Sequence, residues 1–236
     1  MSRLEAWATT FPRLFELYGT DPSNPNNYFN DPNCQAALRS DPPDRYLTEL
    51  ELILEKLDPA AWQEWKGRAT SSLSLEDRYG YPLPLFDYFN EARAYVFLKQ
   101  QGYVEVSFLK TGRTKVPDLL AKTSEGYIIL LEAKRIRDSD VEIEYLVRPG
   151  PLVARDVCHG LGDALLAKLR HTVERAREQL LAFEDKNVRR RIVYLSIRID
   201  SLNATQTTVQ EIRHFLSEMR TDQTEILHFI ENKFLL

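Results

Sequence analysis

From Pro84 onward the spacing of apolar positions changes several times, and each change marks a new element. Leu85, Phe89, Ala92 and Val96 fall at i, i+4, i+7 and i+11, which predicts an amphipathic helix ending near 100 to 102. Residues 103 to 110 alternate Val104, Val106 and Phe108 against polar neighbours, the period of a strand. Two more apolar strands follow within 115 to 136, separated by "KTSEG". A long helix is predicted over 161 to 184, and "RIVYLSIRI" at 191 to 199 reads as a buried strand. Two amphipathic helices are expected to close the chain, near 205 to 219 and 222 to 234. The order helix, three strands, helix, strand calls for a mixed sheet with helices on both faces.

Ahead of Pro84 the pattern is helical. Leu4, Trp7, Phe11, Leu14 and Phe15 lie on one side of a helix over 2 to 18, which Pro12 must break or kink. A Pro/Asn-rich loop is expected over 19 to 33. Helices are predicted near 44 to 57 and 59 to 69, the second with Asp58 as its cap and Pro59 at its first position. Residues 1 to 82 therefore read as a helical elaboration on an α/β domain spanning 83 to 236. No chemistry is evident in the front part. Its acidic balance, 8 Lys/Arg against 13 Asp/Glu over residues 1 to 80, suits a surface for a protein partner.

Composition narrows the class only a little. With 43% hydrophobic residues over 236 positions, a normal core is within reach. No apolar run approaches the roughly 20 residues that span a bilayer, so no membrane association is expected. Glu5 interrupts the start of the chain where a secretory segment is apolar, and a cytoplasmic location is expected. Cys34 and Cys158 lie far apart, without metal-ligand spacing. The net charge of -4 argues against wholesale wrapping of nucleic acid. Residues 134 to 198 reverse the sign, with 14 Lys/Arg against 10 Asp/Glu, and build either a local basic surface or an ordinary solvated face.

The informative stretch is "KVPDLLAKTSEGYIILLEAKRI", 115 to 136. In its second strand Ile128, Leu130, Glu132 and Lys134 share one face, and Tyr127, Ile129, Leu131 and Ala133 the other. Both faces are apolar until Glu132, so the strand is central. With Ala121 opposite Tyr127, Asp118 would face Leu130 and stand diagonally from Glu132, about 7 to 8 Å away. A register shifted by one would send the two carboxylates to opposite faces. Pro117 cannot donate to a ladder, so the first strand loosens just before Asp118. Two carboxylates and an ammonium on an apolar face are costly unless paired or bound to a metal. Magnesium takes oxygen ligands, commonly one or two carboxylates with water and phosphate.

Pro117-Asp118, thirteen residues, then Glu132-Ala133-Lys134 resembles the PD-(D/E)xK signature of the restriction-endonuclease-like nucleases, over roughly 84 to 200. The resemblance implies an αβββαβ core with a mixed central sheet flanked by helices, here with N-terminal helical additions and C-terminal helices. It implies Mg2+ (or Mn2+) bound by Asp118, Glu132 and the backbone carbonyl of Ala133, with Lys134 assisting the attacking water. It implies a metal-dependent nuclease acting on nucleic acid, with DNA favoured. A homodimer would suit double-strand cutting. Many members carry a further glutamate on the first core helix. Glu91 stands one step beside that helix's apolar stripe and is either this group or an exposed helix glutamate. The second core helix often faces phosphate. Its predicted stripe is Leu165, Leu169, Thr172, Ala176, Leu180 and Phe183, and Lys168, His171, Arg175 and Gln179 flank it as candidate nucleic-acid contacts or as a wet flank. An alternative is a catalytically inactive module of this fold that binds nucleic acid or a protein.

Other signals are weaker. Gly160 and Gly162 lack the third glycine of a nucleotide loop, and His159, His171, His214 and His228 show no zinc-ligand spacing. Arg189, Arg190 and Arg191 read as a solvated turn or a phosphate contact. The irregular stretch 141 to 156 is expected to overhang the cleft.

Overall fold

The computed structural model describes residues 3–73, 83–109, 116–136, 163–199 and 206–232. The chain divides into two compact units, Met1–Phe108 and Leu109–Leu236.

The first unit contains α1 (Arg3–Thr10), α2 (Pro12–Tyr18), a 3-10 turn (Tyr28–Asn30), α3 (Pro32–Ala37), α4 (Arg45–Glu55), α5 (Pro59–Thr70), α6 (Leu83–Gln100) and β1 (Val104–Phe108). The expected break at Pro12 separates α1 from α2. Phe11, the residue before α2, offers no side-chain cap. The buried Glu51 of α4 supplies one instead, accepting from the N–H groups of Arg13 at 2.7 Å and Leu14 at 3.0 Å. Asp31 and Asp44 cap α3 and α4 in the usual way, through Asn33, Cys34 and Leu47. Asp58 does not cap α5 with its side chain. Its carboxylate accepts from the Tyr95 hydroxyl at 2.8 Å and Lys99 Nζ at 3.1 Å, so it ties α5 to α6. The loop expected over 19 to 33 is interrupted by the 3-10 turn and gives way to α3 at Pro32.

Helix α6 is buried on more than the predicted stripe. Leu85, Phe89, Ala92 and Val96 are buried, and so are Phe86, Ala94, Tyr95 and Leu98. Trp65 packs beside Phe89, centroids 5.4 Å apart, and its indole N–H donates to the Tyr88 carbonyl at 2.7 Å. These contacts bind α6 to the front helices. The boundary between the two compact units falls after β1.

The second unit contains β2 (Leu119–Lys122), β3 (Ile128–Ile136), α7 (Asp163–Leu181), β4 (Val188–Ile199), α8 (Gln206–Glu218) and β5 (Glu225–Asn232). These strands lie side by side in chain order. β2 and β3 are antiparallel, while β3, β4 and β5 run parallel to one another. The fold is α/β, with a mixed sheet flanked by helices. One core joins Ile128, Leu130 and Ile136 of β3, Val193, Leu195 and Ile197 of β4, and Ile226 of β5 to α7 and α8. Helix α7 contributes Leu165, Leu169, Val173, Ala176 and Leu180. Val173 takes the place predicted for Thr172, because steps of four, four, three and four residues keep the stripe on the sheet.

The second C-terminal helix, expected over 222 to 234, is a strand over its described part. The bridge between Thr221 and Thr224 closes a turn, and Glu225–Asn232 then pairs with β4 along its whole length. Arg190 holds the start of β5 through Glu225, with two bonds of 2.6 Å. The segment "EILHFIEN" is rich in β-branched and aromatic residues, and buries Ile226 on the core face. Among the described residues no helix is long and apolar enough to cross a membrane.

Candidate functional site

The site begins with a turn. Thr123 donates its N–H to the Tyr127 carbonyl at 2.9 Å, and Lys122 stands opposite Ile128. Ala121 therefore faces Ile129, where the sequence pattern placed Tyr127. The register is two residues away from the expected one. A shift of two preserves which face each side chain takes, whereas a shift of one reverses it. Asp118, one residue beyond the pairing of Leu119 with Leu131, arrives directly beside Glu132 and not diagonal to it.

The two acids are interlocked. The Asp118 N–H donates to Glu132 Oε2 at 3.2 Å, and the Ala133 N–H donates to Asp118 Oδ2 at 2.9 Å. Lys134 Nζ bonds Glu132 Oε1. The parallel register sets Glu132 beside Val193 and Lys134 beside Leu195, both members of the core under α7. Glu132 thus lies on an apolar face with its side chain fully buried, whereas the Lys134 side chain is 34% exposed. Burial, and after it the Asp118 charge, pushes the Glu132 carboxyl up to about 7 against the pull of Lys134.

Pro117 shapes the same spot through its missing N–H. The pairs Thr123 with Tyr127, Ala121 with Ile129 and Leu119 with Leu131 alternate along the ladder, and the next member would be Pro117 with Ala133. Such pairs normally exchange two bonds. Pro117 cannot donate to the Ala133 carbonyl, and the Ala133 N–H has turned to the Asp118 side chain. The Ala133 carbonyl therefore receives no bond from Pro117, on the side of β3 where Asp118 stands. Two carboxylates and this carbonyl are hard oxygen donors, the set a magnesium or manganese ion accepts alongside water. Among the described residues no group of three His, Cys, Asp or Glu side chains gathers to hold a metal.

Glu91 belongs to the first unit. It is 7% exposed, not the solvated glutamate that was the alternative, and pairs with Arg68 at 2.9 Å. The Arg68 guanidinium also lies over the rings of Tyr88 and Phe108, at 5.5 and 5.6 Å. On α7, His171 and Arg175 are exposed and Lys168 is half-buried. Gln179 differs from these three, because its side-chain amide donates to the Val116 carbonyl, two residues before Asp118. Nothing in the sequence signals this contact, which joins residues 63 positions apart.

The arginine triplet is engaged within the fold. Arg189 lies 4.6 Å over the Tyr127 ring, Arg190 grips Glu225, and Arg191 Nε donates to the Leu180 carbonyl at 3.1 Å. The overhanging stretch 141 to 156, Cys158, His159, Gly160 and Gly162 lie outside the described residues. No family model, curated protein or solved structure matches the chain.

Proposed function

We propose that the second unit carries a divalent-metal-dependent nuclease site that hydrolyses phosphodiester bonds, with DNA as the favoured substrate. The observation that supports this most is the interlocking of Asp118, Glu132 and Ala133 on two adjacent strands, with the Lys134 ammonium at its rim. A fully buried carboxylate is costly in a purely structural role, and an apolar residue would fill the same place at no such cost. Its place beside a second carboxylate favours a site that receives a cation.

Asp118, Glu132 and the Ala133 carbonyl would hold Mg2+ or Mn2+. Such an ion, when bound, activates water and neutralises charge on a phosphoryl group. The chain's own contribution is placement. The Ala133 N–H fixes the Asp118 carboxylate, and the Asp118 N–H fixes Glu132. Lys134, unlike the fully buried Glu132, keeps 34% of its side chain exposed. It can hold a water or a phosphate oxygen as negative charge builds. His171 and Arg175, exposed on α7, can meet the phosphate backbone.

The test is cleavage of plasmid and linear DNA, with RNA alongside, in Mg2+ or Mn2+ and with a chelator. Cutting that stops with the chelator and in Asp118→Asn is expected. Metal-independent cutting, or cutting unchanged by that substitution, overturns the reading. The second reading is an inactive module of similar fold. Its supporting observation is that both Glu132 oxygens already accept hydrogen bonds within the chain. Calorimetry with Mn2+ separates the two, because an inactive module shows no binding that depends on Asp118 and Glu132.

A further inference from the structure

We infer that Gln179 is a positioning residue: its amide latches the backbone ahead of Asp118 to α7 and thereby sets where the Asp118 carboxylate stands. The inference rests on the metal-site reading for its functional meaning, though not for its geometry.

Three observations converge. Pro117 ends the β2–β3 ladder, so toward β3 the segment 116 to 118 lacks the paired backbone bonds of the rest of the hairpin, while on its other side the Asp118 carbonyl accepts from the Leu109 N–H at 2.9 Å. Described strand β2 starts only at Leu119. Into this interruption reaches Gln179, donating to the Val116 carbonyl. The latch is anchored firmly, because its neighbour Leu180 is fully buried in the core and its carbonyl accepts from Arg191 of β4. Helix α7 therefore holds the segment from above while Ala133 and Glu132 hold it from the strand side, through Asp118 Oδ2 and the Asp118 N–H. Pro117 is buried between these two restraints. An amide that only solvated the helix flank would have no reason to point at a carbonyl in the stretch of hairpin that lacks ladder bonds to β3.

Groups that orient metal ligands without touching the ion commonly change affinity by about 10-fold to 100-fold when removed. The effect expected here is at the lower end, because Asp118 keeps its bond from Ala133. Gln179→Met removes the donor at similar size, and Gln179→Lys restores a donor at the same position. In chelator, amide hydrogen exchange at Ala133 and Asp118 should quicken about tenfold in Gln179→Met, with exchange in α8 and β5 unchanged. Protection should return in Gln179→Lys. Calorimetry with Mn2+ alone should show affinity weakened about tenfold in Gln179→Met and largely recovered in Gln179→Lys. Unaltered exchange at Ala133 and Asp118 in Gln179→Met overturns the latch, whatever the metal does. Altered exchange, with no Mn2+ binding by the wild-type chain, upholds the latch and refutes the metal-site reading instead.

Discussion

The Asp118 N–H donates to Glu132 Oε2 at 3.2 Å, across the end of a ladder that Pro117 has cut short. The backbone of one acid thus donates to the other's side chain, and the Ala133 N–H next to Glu132 donates to the Asp118 carboxylate. Asp118→Asn and Glu132→Gln are each expected to abolish metal-dependent DNA cleavage. Circular dichroism should show the protein still folded, because neither change alters side-chain volume much.

Lys134 is expected to behave differently. Lys134→Ala removes the cation that pairs with Glu132 but leaves the oxygen donors in place. Cleavage should fall by about 100-fold to 1,000-fold, the usual loss when a group that stabilises developing charge is deleted. Mn2+ affinity at pH 8 should hold or tighten, since a competing positive charge has gone. Calorimetry and cleavage rates on the same preparation check this split.

The raised Glu132 carboxyl gives a pH dependence of definite sign. Its pKa lies at about 7 in the fold, above the ordinary 4.5. The folded state therefore holds this proton more tightly than the unfolded chain. Its contribution to stability is fully present below about pH 4.5 and is lost as pH rises through about 7. In chelator, wild-type Tm should fall from pH 5 to pH 8 relative to Glu132→Gln. Mn2+ binding should strengthen over the same interval and level off above it, because the ion needs the ionised acid.

The front unit offers a test of stability alone. Glu51 accepts two backbone N–H groups at the start of α2 while almost completely buried. Burial, which outweighs the two bonds, raises its carboxyl above the usual range. Glu51→Ala strands both donors and should destabilise the unit by about 1 to 3 kcal/mol. Urea denaturation checks this.

The basic residues should separate into two groups. Arg190 is occupied by Glu225, so Arg190→Ala should leave DNA affinity and its salt dependence unchanged and cost no more than about 1 kcal/mol in stability. Arg175→Ala should flatten the salt dependence of DNA binding by about one phosphate contact. Titrations at several salt concentrations, read by fluorescence anisotropy, distinguish them.

Much of this was legible in the chain because side-chain alternation survives errors of register. Asp118 and Glu132 were expected on one face, and an error of two residues in pairing left that intact. Turn closure by Thr123 and Tyr127 was not legible, since a five-residue connection can be placed in more than one way. The strand β5 is not legible in the chain because Ile226, Phe229 and Ile230 also fit a helical stripe, and only pairing with β4 decides the matter. Asp58 holds the predicted cap position of α5, but its side chain serves Tyr95 and Lys99, which reach it from far along the chain and leave no local signal. The Gln179 contact is invisible for the same reason.

Only four residues, Leu119–Lys122, separate Asp118 from the turn, and every one of them is paired. This stretch has no slack to absorb a change in length. Dropping one residue from it would force a choice between packing the leucines correctly and keeping the acids together. Losing two would shorten the hairpin yet spare both. Length variation in this arm should therefore be tolerated only in even steps, while the exposed tip at Ser124, Glu125 and Gly126 can vary without that constraint.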